Sequence, residues 1–559
     1  MRRKTILRVV LIGVVLTLFF AVRITNSKKN REIKEFTAFF DVPGNEIDED
    51  NEIRELIAQK IGARCQEQWL SGKSADEAIA SYIASGEYTD FISGNMVLYE
   101  AGALIPIDVY WDDYPNIKNF LTLELWDRFR QADGHVYWIP QFGIVHGKVA
   151  EVLHEGEAFW IQTRVLKWAG YPDIRTLDEY FDLLEAYVAE NPLMENPFRR
   201  GEMVESIPFT ILCDDWRYFC LENPPQFLDG YPNDGSCMVD VDMQTVMDYN
   251  SSETAKRYFK KLNEEYNNGI IDQEFFTQSY QEYLEKLASG RVLGMVDQWW
   301  QFAYSVNTSQ DRMPVQGYGY VPLPITIDRG IKNQWHVKRG TELSVADGIS
   351  ITVSCKDLKG AMQFINDLLD EEILKLRYWG IEGIDYDVYE NGVYYRTPEQ
   401  RARARNLDYS DAHFCIYSHF PRIEGMLSDG INAFSPEYQA DEFLNALAPD
   451  VRECLVAYKC RNYVEMLGTN SEPGPWYPMY SYSEMLTPES EAGRVWEQMK
   501  SVKNDYLPRV VMTEDFEGMW QQYMEHYTAC QPEIFFEEMQ RELERRIALA
   551  KQIKAYSKY

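Results

Sequence analysis

Apolar and polar positions alternate in FTAFFDV, residues 36–42, where Phe36, Ala38, Phe40 and Val42 share one side, the period of a strand with one buried face. After a turn at Pro43 and Gly44 the period changes, and Ile53, Leu56, Ile57 and Ile61 fall on one helical face. CQEQWL, residues 65–70, reads as a second strand. Ser74 and Glu77 have the spacing of a capping box, in which each side chain accepts from the other's backbone N–H. They open a helix carrying Ile79, Tyr82 and Ile83, and Gly86 ends it. YTDFIS, residues 88–93, is a third strand. The β-α-β-α-β order predicts an open parallel sheet with right-handed crossovers.

The same signals recur later. Thr176 and Glu179 form a second capping box, followed by Leu177, Tyr180, Phe181, Leu184, Tyr187 and Val188 on one face and by the stop Asn191-Pro192. A short apolar strand over 292–296 runs into Trp299 and Trp300. Sheet-building returns at Ile349, Ile351 and Val353, before Leu358, Ala361, Phe364, Ile365 and Leu368 take up the helical period. The last segment, residues 532–554, is a charged amphipathic helix with Pro532 near its first turn. At 559 residues the chain is too long for one ordinary domain, so two large lobes are expected.

Composition narrows the partners. A net charge of −32 repels phosphate backbones and argues against nucleic acid. Arg2, Arg3, Lys4 and Arg8 precede an uncharged run, residues 9–22, which is the pattern of an export segment with a cytoplasmic N-terminus. The flank FFAVRITNS has no clean pair of small residues, so a cleaved signal peptide and an uncleaved membrane anchor over residues 1–30 both fit. Nine cysteines form no CxxC pair. Cys213 with Cys220, or Cys454 with Cys460, are spaced to bridge, but free buried thiols are the favoured reading.

Catalytic spacing is sparse. There is no GxSxG, no HExxH and no Walker loop. His413 and His419 are not a helical ligand pair, and NDGSCMVDVD, residues 233–242, lacks the spacing of a calcium loop, so no metal or other cofactor is expected. Asp385, Asp387, Glu382 and Glu390 are close in sequence, which does not by itself oppose two of them across a cleft as glycoside hydrolysis requires. Trp299 and Trp300 say more, because the end of a strand is where open α/β sheets bind ligands. At least one of the two indoles is expected to pack between sheet and helix.

In order along the chain, FTAFFDVPGN, YTDFISGN, GHVYWIPQFG, FWIQTRVLKWAGYPDIRTLDEYFDLLEAY, LASGRVLGMVDQWW, VADGISITVS and RYWGIEGIDYDVYENG resemble the extracellular solute-binding proteins of carbohydrate ABC importers, the large family 1 type of Gram-positive bacteria. The resemblance covers residues 36–392, and the remainder is less distinctive. It implies an α/β fold of two lobes, the type II periplasmic-binding-protein-like arrangement, each with a mostly parallel sheet flanked by helices and joined by hinge crossovers. Carried onto this chain, lobe one takes residues 36–142 and 323–377, and lobe two takes 143–322 and 378–559, with crossovers near residues 137–142, 318–324 and at Trp379. The implied ligand contacts are Asp41, Asn95, Trp299, Trp300, Asp347, Trp379 and Glu382, carboxylates accepting sugar hydroxyls and indoles stacking on sugar C–H faces. No catalytic residue is implied.

The implied function is capture of a carbohydrate, an oligosaccharide in particular, at the outer face of the membrane for delivery to the permease subunits, by a chain whose default state is a monomer. The family's usual lipid-attachment cysteine is missing, since the first cysteine is Cys65. Two other readings compete: an exported glycoside hydrolase with an acidic pair in an aromatic cleft, and a surface protein that keeps the fold without a ligand.

Overall fold

The computed structural model describes residues 33–148, 152–310, 312–313, 317–338, 343–468 and 472–556. The export segment expected over residues 1–30 lies outside them. Eight strands build two central sheets: β1 (Lys34–Phe40), β2 (Ala63–Trp69), β3 (Phe91–Gly94), β4 (Glu157–Gln162), β5 (Ile207–Ile211), β6 (Val292–Gln298), β7 (Tyr320–Leu323) and β8 (Gly348–Ile351). In lobe one the order is β8-β3-β1-β2, with β1 parallel to β2 and β3, and β8 antiparallel to β3. In lobe two the order is β7-β4-β6-β5, with β6 parallel to β5, and β4 antiparallel to β6 and β7. Each sheet thus has a single reversed strand. It is an edge in lobe one and interior in lobe two, so lobe two has only one parallel pair and the mostly parallel sheet expected there holds for strand direction but not for pairing.

The helices form where the sequence signals place them. Both capping boxes are made, at Ser74–Glu77 and Thr176–Glu179, opening the helices Ala75–Ser85 and Leu177–Glu190. The first ends at Gly86 in the left-handed region, φ 66°, which a residue without Cβ reaches at no steric cost. Helices Leu358–Leu368 and Pro532–Tyr556 match the two late predictions. The less distinctive remainder is largely helical: Glu491–Met512 packs on Glu253–Asn267, on Phe516–Ala529 and on the last helix.

Two hydrophobic cores divide the chain, and they correct the expected boundaries. One gathers apolar side chains from Phe36 to Ile144, Leu343 to Ile373, and Cys415, Tyr417 and Phe420. The other gathers Val152 to Val337 and Leu427 to Ile547. The second crossover therefore does not lie at 318–324. β7 is part of the lobe-two sheet, and the apolar alternation runs on through Ile325 and Ile327 to Trp335 and Val337 in the same core. Nor do residues after 377 belong to lobe two alone. Arg377 is fully buried and donates to the carbonyls of Leu368, Ile416, Tyr417, Phe420 and Pro421, fastening the 415–421 loop to lobe one. A guanidinium can do this because its donors form a rigid planar fork.

All nine cysteines are free thiols; six are buried, as the favoured reading had it, and Cys355, Cys460 and Cys530 are half-buried. Among the described residues no helix is long and apolar enough to cross a membrane.

Candidate functional site

Sheet geometry decides which residues meet. β1 and β3 end at Phe40 and Gly94, so Asp41 and Asn95 follow at the C-terminal edge of lobe one. β8 runs the other way, pairing Gly348 with Gly94, so Asp347 enters at that same edge. Gly348 is required here, because a Cβ would lie 2.4 Å from the Ile139 carbonyl oxygen, whose residue bridges Ile349 at the sheet margin. Asp41 donates its backbone N–H to Ser93 Oγ at 3.3 Å. Asn95 caps the helix Met96–Glu100, its Oδ1 accepting from Leu98 N at 3.0 Å.

The carboxylates on this edge sense one another. Burial among surrounding atoms raises the Asp347 carboxyl to about 7, with Asp41 and Glu484 as further negative neighbours. Asp41 is also raised, chiefly by burial and only partly offset by its hydrogen bond to Ser93. Asp347 and Glu484 nonetheless remain open to solvent. Glu484 comes from lobe two, so these acids sit where the two lobes approach each other, and Asp215 of lobe two likewise senses Asp76 of lobe one.

Lobe two presents rings at its corresponding edge. β5 and β6 are parallel, and both release the chain there, β5 into Cys213–Phe219 and β6 into Trp299 and Trp300. Trp216 stacks on Trp300 with centroids 5.9 Å apart and 12° between planes. Both stay open, Trp216 at 40% and Trp300 at 48% exposure. Large rings rarely remain so exposed side by side, and such a patch marks a binding surface. The Arg217 guanidinium backs the pair, 4.5 Å from the Trp216 ring and 4.0 Å from Tyr280. Asp215, immediately before Trp216, holds φ at 53°, a left-handed conformation costly for a residue with a Cβ.

The structure sorts the expected contacts. Asp41, Asn95 and Asp347 share the lobe-one edge, and Trp300 stands at the C-terminal end of β6 in lobe two. Trp299 is half-buried, packed against Trp160, Phe302 and Tyr463, which makes it the indole that joins sheet to helix. Trp379 is a correction: it is 0% exposed, donates Nε1 to the Ala433 carbonyl at 3.0 Å and packs with Tyr386 and Tyr394, so it is a core residue with no face for a ligand. Glu382 is exposed on the turn that bridges back to Tyr386. The glycine-rich stretch around it forms a hairpin, Asp387–Val388 with Tyr394–Tyr395.

Trp216, Asp215 and Glu484 were not foreseen. Trp216 had a usable signal, since DDW follows the apolar run of β5 as QWW follows that of β6. Asp234, in the acidic loop weighed for calcium, is buried and accepts from the backbone N–H groups of Met479 and Tyr480. Among the described residues no group of three His, Cys, Asp or Glu side chains is arranged to hold a metal ion.

No protein-family model matches the chain. It is 25% identical over 327 residues to the fructooligosaccharide ABC transporter substrate-binding protein FusA of Streptococcus pneumoniae serotype 4, an alignment covering 54% of this chain and 55% of that protein. The chain therefore spans about half the length of this curated relative. Solved structures similar in fold include FusA of S. pneumoniae in complex with kestose, TM-score 0.62 at 17% identity, covering 92% of this chain and 100% of that one. The alginate-binding protein AlgQ2 gives 0.62 at 15% identity, covering 92% and 98%. The N-glycan transport solute-binding protein NgtS of Streptococcus pneumoniae gives 0.52 at 13% identity, covering 92% and 99%. The chain has the α/β two-lobe fold of the extracellular solute-binding proteins that serve ABC transporters.

Proposed function

We propose that this chain is a solute-binding protein that captures an oligosaccharide between its lobes and delivers it to an ABC importer, without chemistry on the sugar. The observation that carries the reading is the stacked, exposed Trp216–Trp300 pair at the C-terminal edge of the lobe-two sheet. Indoles provide flat apolar area for sugar C–H faces at little rotamer cost, and Asp41, Asp347 and Glu484 accept from hydroxyls that would otherwise lose their water partners. Asn95 adds an amide donor. FusA, similar in sequence and fold, is by name a fructooligosaccharide transporter component, which agrees with this assignment. The N-terminal segment, cleaved or retained, would place the folded part on the outer side of the membrane, and a retained segment would keep it near its permease.

A thermal-shift screen against neutral and charged mono- and oligosaccharides, with short peptides as controls, tests this. A ligand that binds only the folded state raises Tm by mass action, by about 2.7 kcal/mol of stability at one hundred times Kd. A shift with one glycan class supports the reading. Shifts with peptides alone, or with nothing, refute it.

A further inference from the structure

We propose that lobe one carries a ring subsite of its own, formed by Trp69, Phe142 and His419 beside the hinge, and that it holds one sugar unit of the bound oligosaccharide. This rests on the reading of the chain as an oligosaccharide-binding protein.

The sheet and two segments that leave lobe one assemble the row. β1 and β2 are parallel with Phe40 opposite Trp69, so both rings arrive at the C-terminal edge, where Asp41 follows Phe40. Their centroids are 4.9 Å apart. Gly44 presses on the indole, where a Cβ would lie 2.1 Å from a ring carbon, and this sets the orientation of Trp69. His419 belongs to the loop that Arg377 fastens to lobe one, and its ring lies 5.1 Å from Phe40 and 4.8 Å from Trp69, at 87° to the indole. Phe142 closes the row, 5.4 Å from His419 and again at 87°. The neighbouring Gln141 side chain donates to the His419 carbonyl and ties the two segments together. A few residues further on the same segments pair as they cross toward lobe two, Val145 with Glu424 and His146 with Gly425. The rings therefore stand at the foot of the hinge, on the edge that also carries Asp41.

Packing alone does not account for this row. Phe40 is core at 0% exposure, but Phe142 is 43% exposed, and Trp69 and His419 are half-buried. Arg422 lies 4.8 Å from the Phe142 ring and is ion-paired to Glu424 at 2.9 Å. Two polar atoms among the rings lack partners. Trp69 Nε1 is shielded from solvent and donates to nothing, although a buried indole N–H normally finds an acceptor. His419 Nδ1 meets Ser418 Oγ at 3.2 Å, while Nε2 makes no hydrogen bond among the described residues. Burial, helped by the Arg422 charge, lowers the His419 imidazole to about 3 and keeps it neutral, so Nε2 donates or accepts according to the tautomer. A purely apolar occupant would leave both atoms unmet. A sugar unit suits the whole set, since its C–H face covers rings and its hydroxyls both donate and accept.

Histidine modification by diethyl pyrocarbonate, which acylates unprotonated imidazole nitrogens, tests this on the full chain with mass-spectrometric readout of each site. The probes are kestose, maltotriose, the N-acetylglucosamine trimer and the glycan of largest thermal shift, each first titrated by calorimetry. Saturation with a glycan that binds should lower His419 labelling about fivefold or more, while His526, exposed on the helix Phe516–Ala529, labels as before. Phe142→Ala separates contact from shielding by lobe closure, and should weaken that glycan about tenfold. Phe142→Leu keeps apolar bulk beside the hinge without the flat ring, and should regain only part of the loss. Unchanged His419 labelling in a saturated chain, parent affinity in Phe142→Ala, or full recovery by leucine would overturn the ring subsite while leaving the oligosaccharide reading intact. Failure of every glycan to bind would overturn both.

Discussion

The two lobe edges are built mainly from the C-terminal ends of parallel strands, with the start of the reversed strand β8 added in lobe one, yet they differ in chemistry. Lobe one sets Asp41, Asn95 and Asp347 at its edge, and lobe two sets the stacked pair Trp216 and Trp300 at its own, beside Asp215. On the proposed reading, the difference divides the work of holding a sugar. Carboxylates and an amide fix hydroxyl positions, which demands orientation, and stacked indoles cover ring faces, which tolerates sliding. Neither edge alone buries an oligosaccharide. Only approach of the lobes sets acceptors opposite rings, which is why binding and lobe closure should be coupled.

Exchanging exposed for buried indoles breaks the comparison most sharply. Trp379→Ala should cost about 3–5 kcal/mol of stability, the range for emptying a fully buried aromatic site, with little change in affinity among molecules that remain folded. Denaturant unfolding alongside a binding titration checks both halves. The double substitution Trp216→Ala with Trp300→Ala should do the reverse, weakening oligosaccharide binding by about 2–3 kcal/mol while lowering Tm far less than Trp379→Ala does, since both rings are only partly covered. Loss of stability on that scale in the double variant would make the pair structural.

On the lobe-one side the effects are smaller and depend on pH. Asp347 titrates near 7 in the folded chain against about 3.9 when unfolded, so between those values the folded state holds more protons. Stability from this group is therefore present at low pH and lost as pH rises toward and through 7. The buried acids Asp234, raised to about 6, and Asp297, raised to about 7, act in the same direction. The ligand-free chain should melt higher at pH 6 than at pH 8, and Asp347→Asn should flatten that slope only in part because the side chain is open to solvent. A Tm that rises from pH 6 to pH 8 would contradict this assignment. The smallest effect belongs to Glu382→Gln, which should leave affinity and stability within about 0.5 kcal/mol of the parent, as for exposed substitutions in general.

What the sequence made legible followed from periodicity. Asp41, Asn95, Trp300 and Asp347 could be located because strands with clear alternation or apolar runs adjoin them, and a residue next to such a strand end has few places to go. Trp379 misled because rings, acids and glycines crowd its neighbourhood. Its ring is enclosed by its own neighbours Tyr386 and Tyr394, and the acid of that stretch which makes the most contacts is Asp385, accepting from Ile381 N and Tyr409 Oη and bonded to the His413 ring. Trp216 was hidden by a strand containing Pro208 and by the short turns that follow it. Glu484 was beyond reach, since its place in the cleft is set by tertiary packing of a helical region whose Pro508 sits inside the helix Glu491–Met512 and reads locally as a breaker.

The central claim is that an oligosaccharide binds between an acidic edge and an indole pair. Calorimetric titration of the chain and of its Trp216→Ala/Trp300→Ala variant, with the glycan that gives the largest thermal shift, tests it most directly. The account predicts saturable one-to-one binding by the parent, a loss of about thirtyfold or more in the variant, and no continuing heat after saturation. Equal affinity in the two proteins, or a sustained heat that tracks release of reducing sugar, would contradict it.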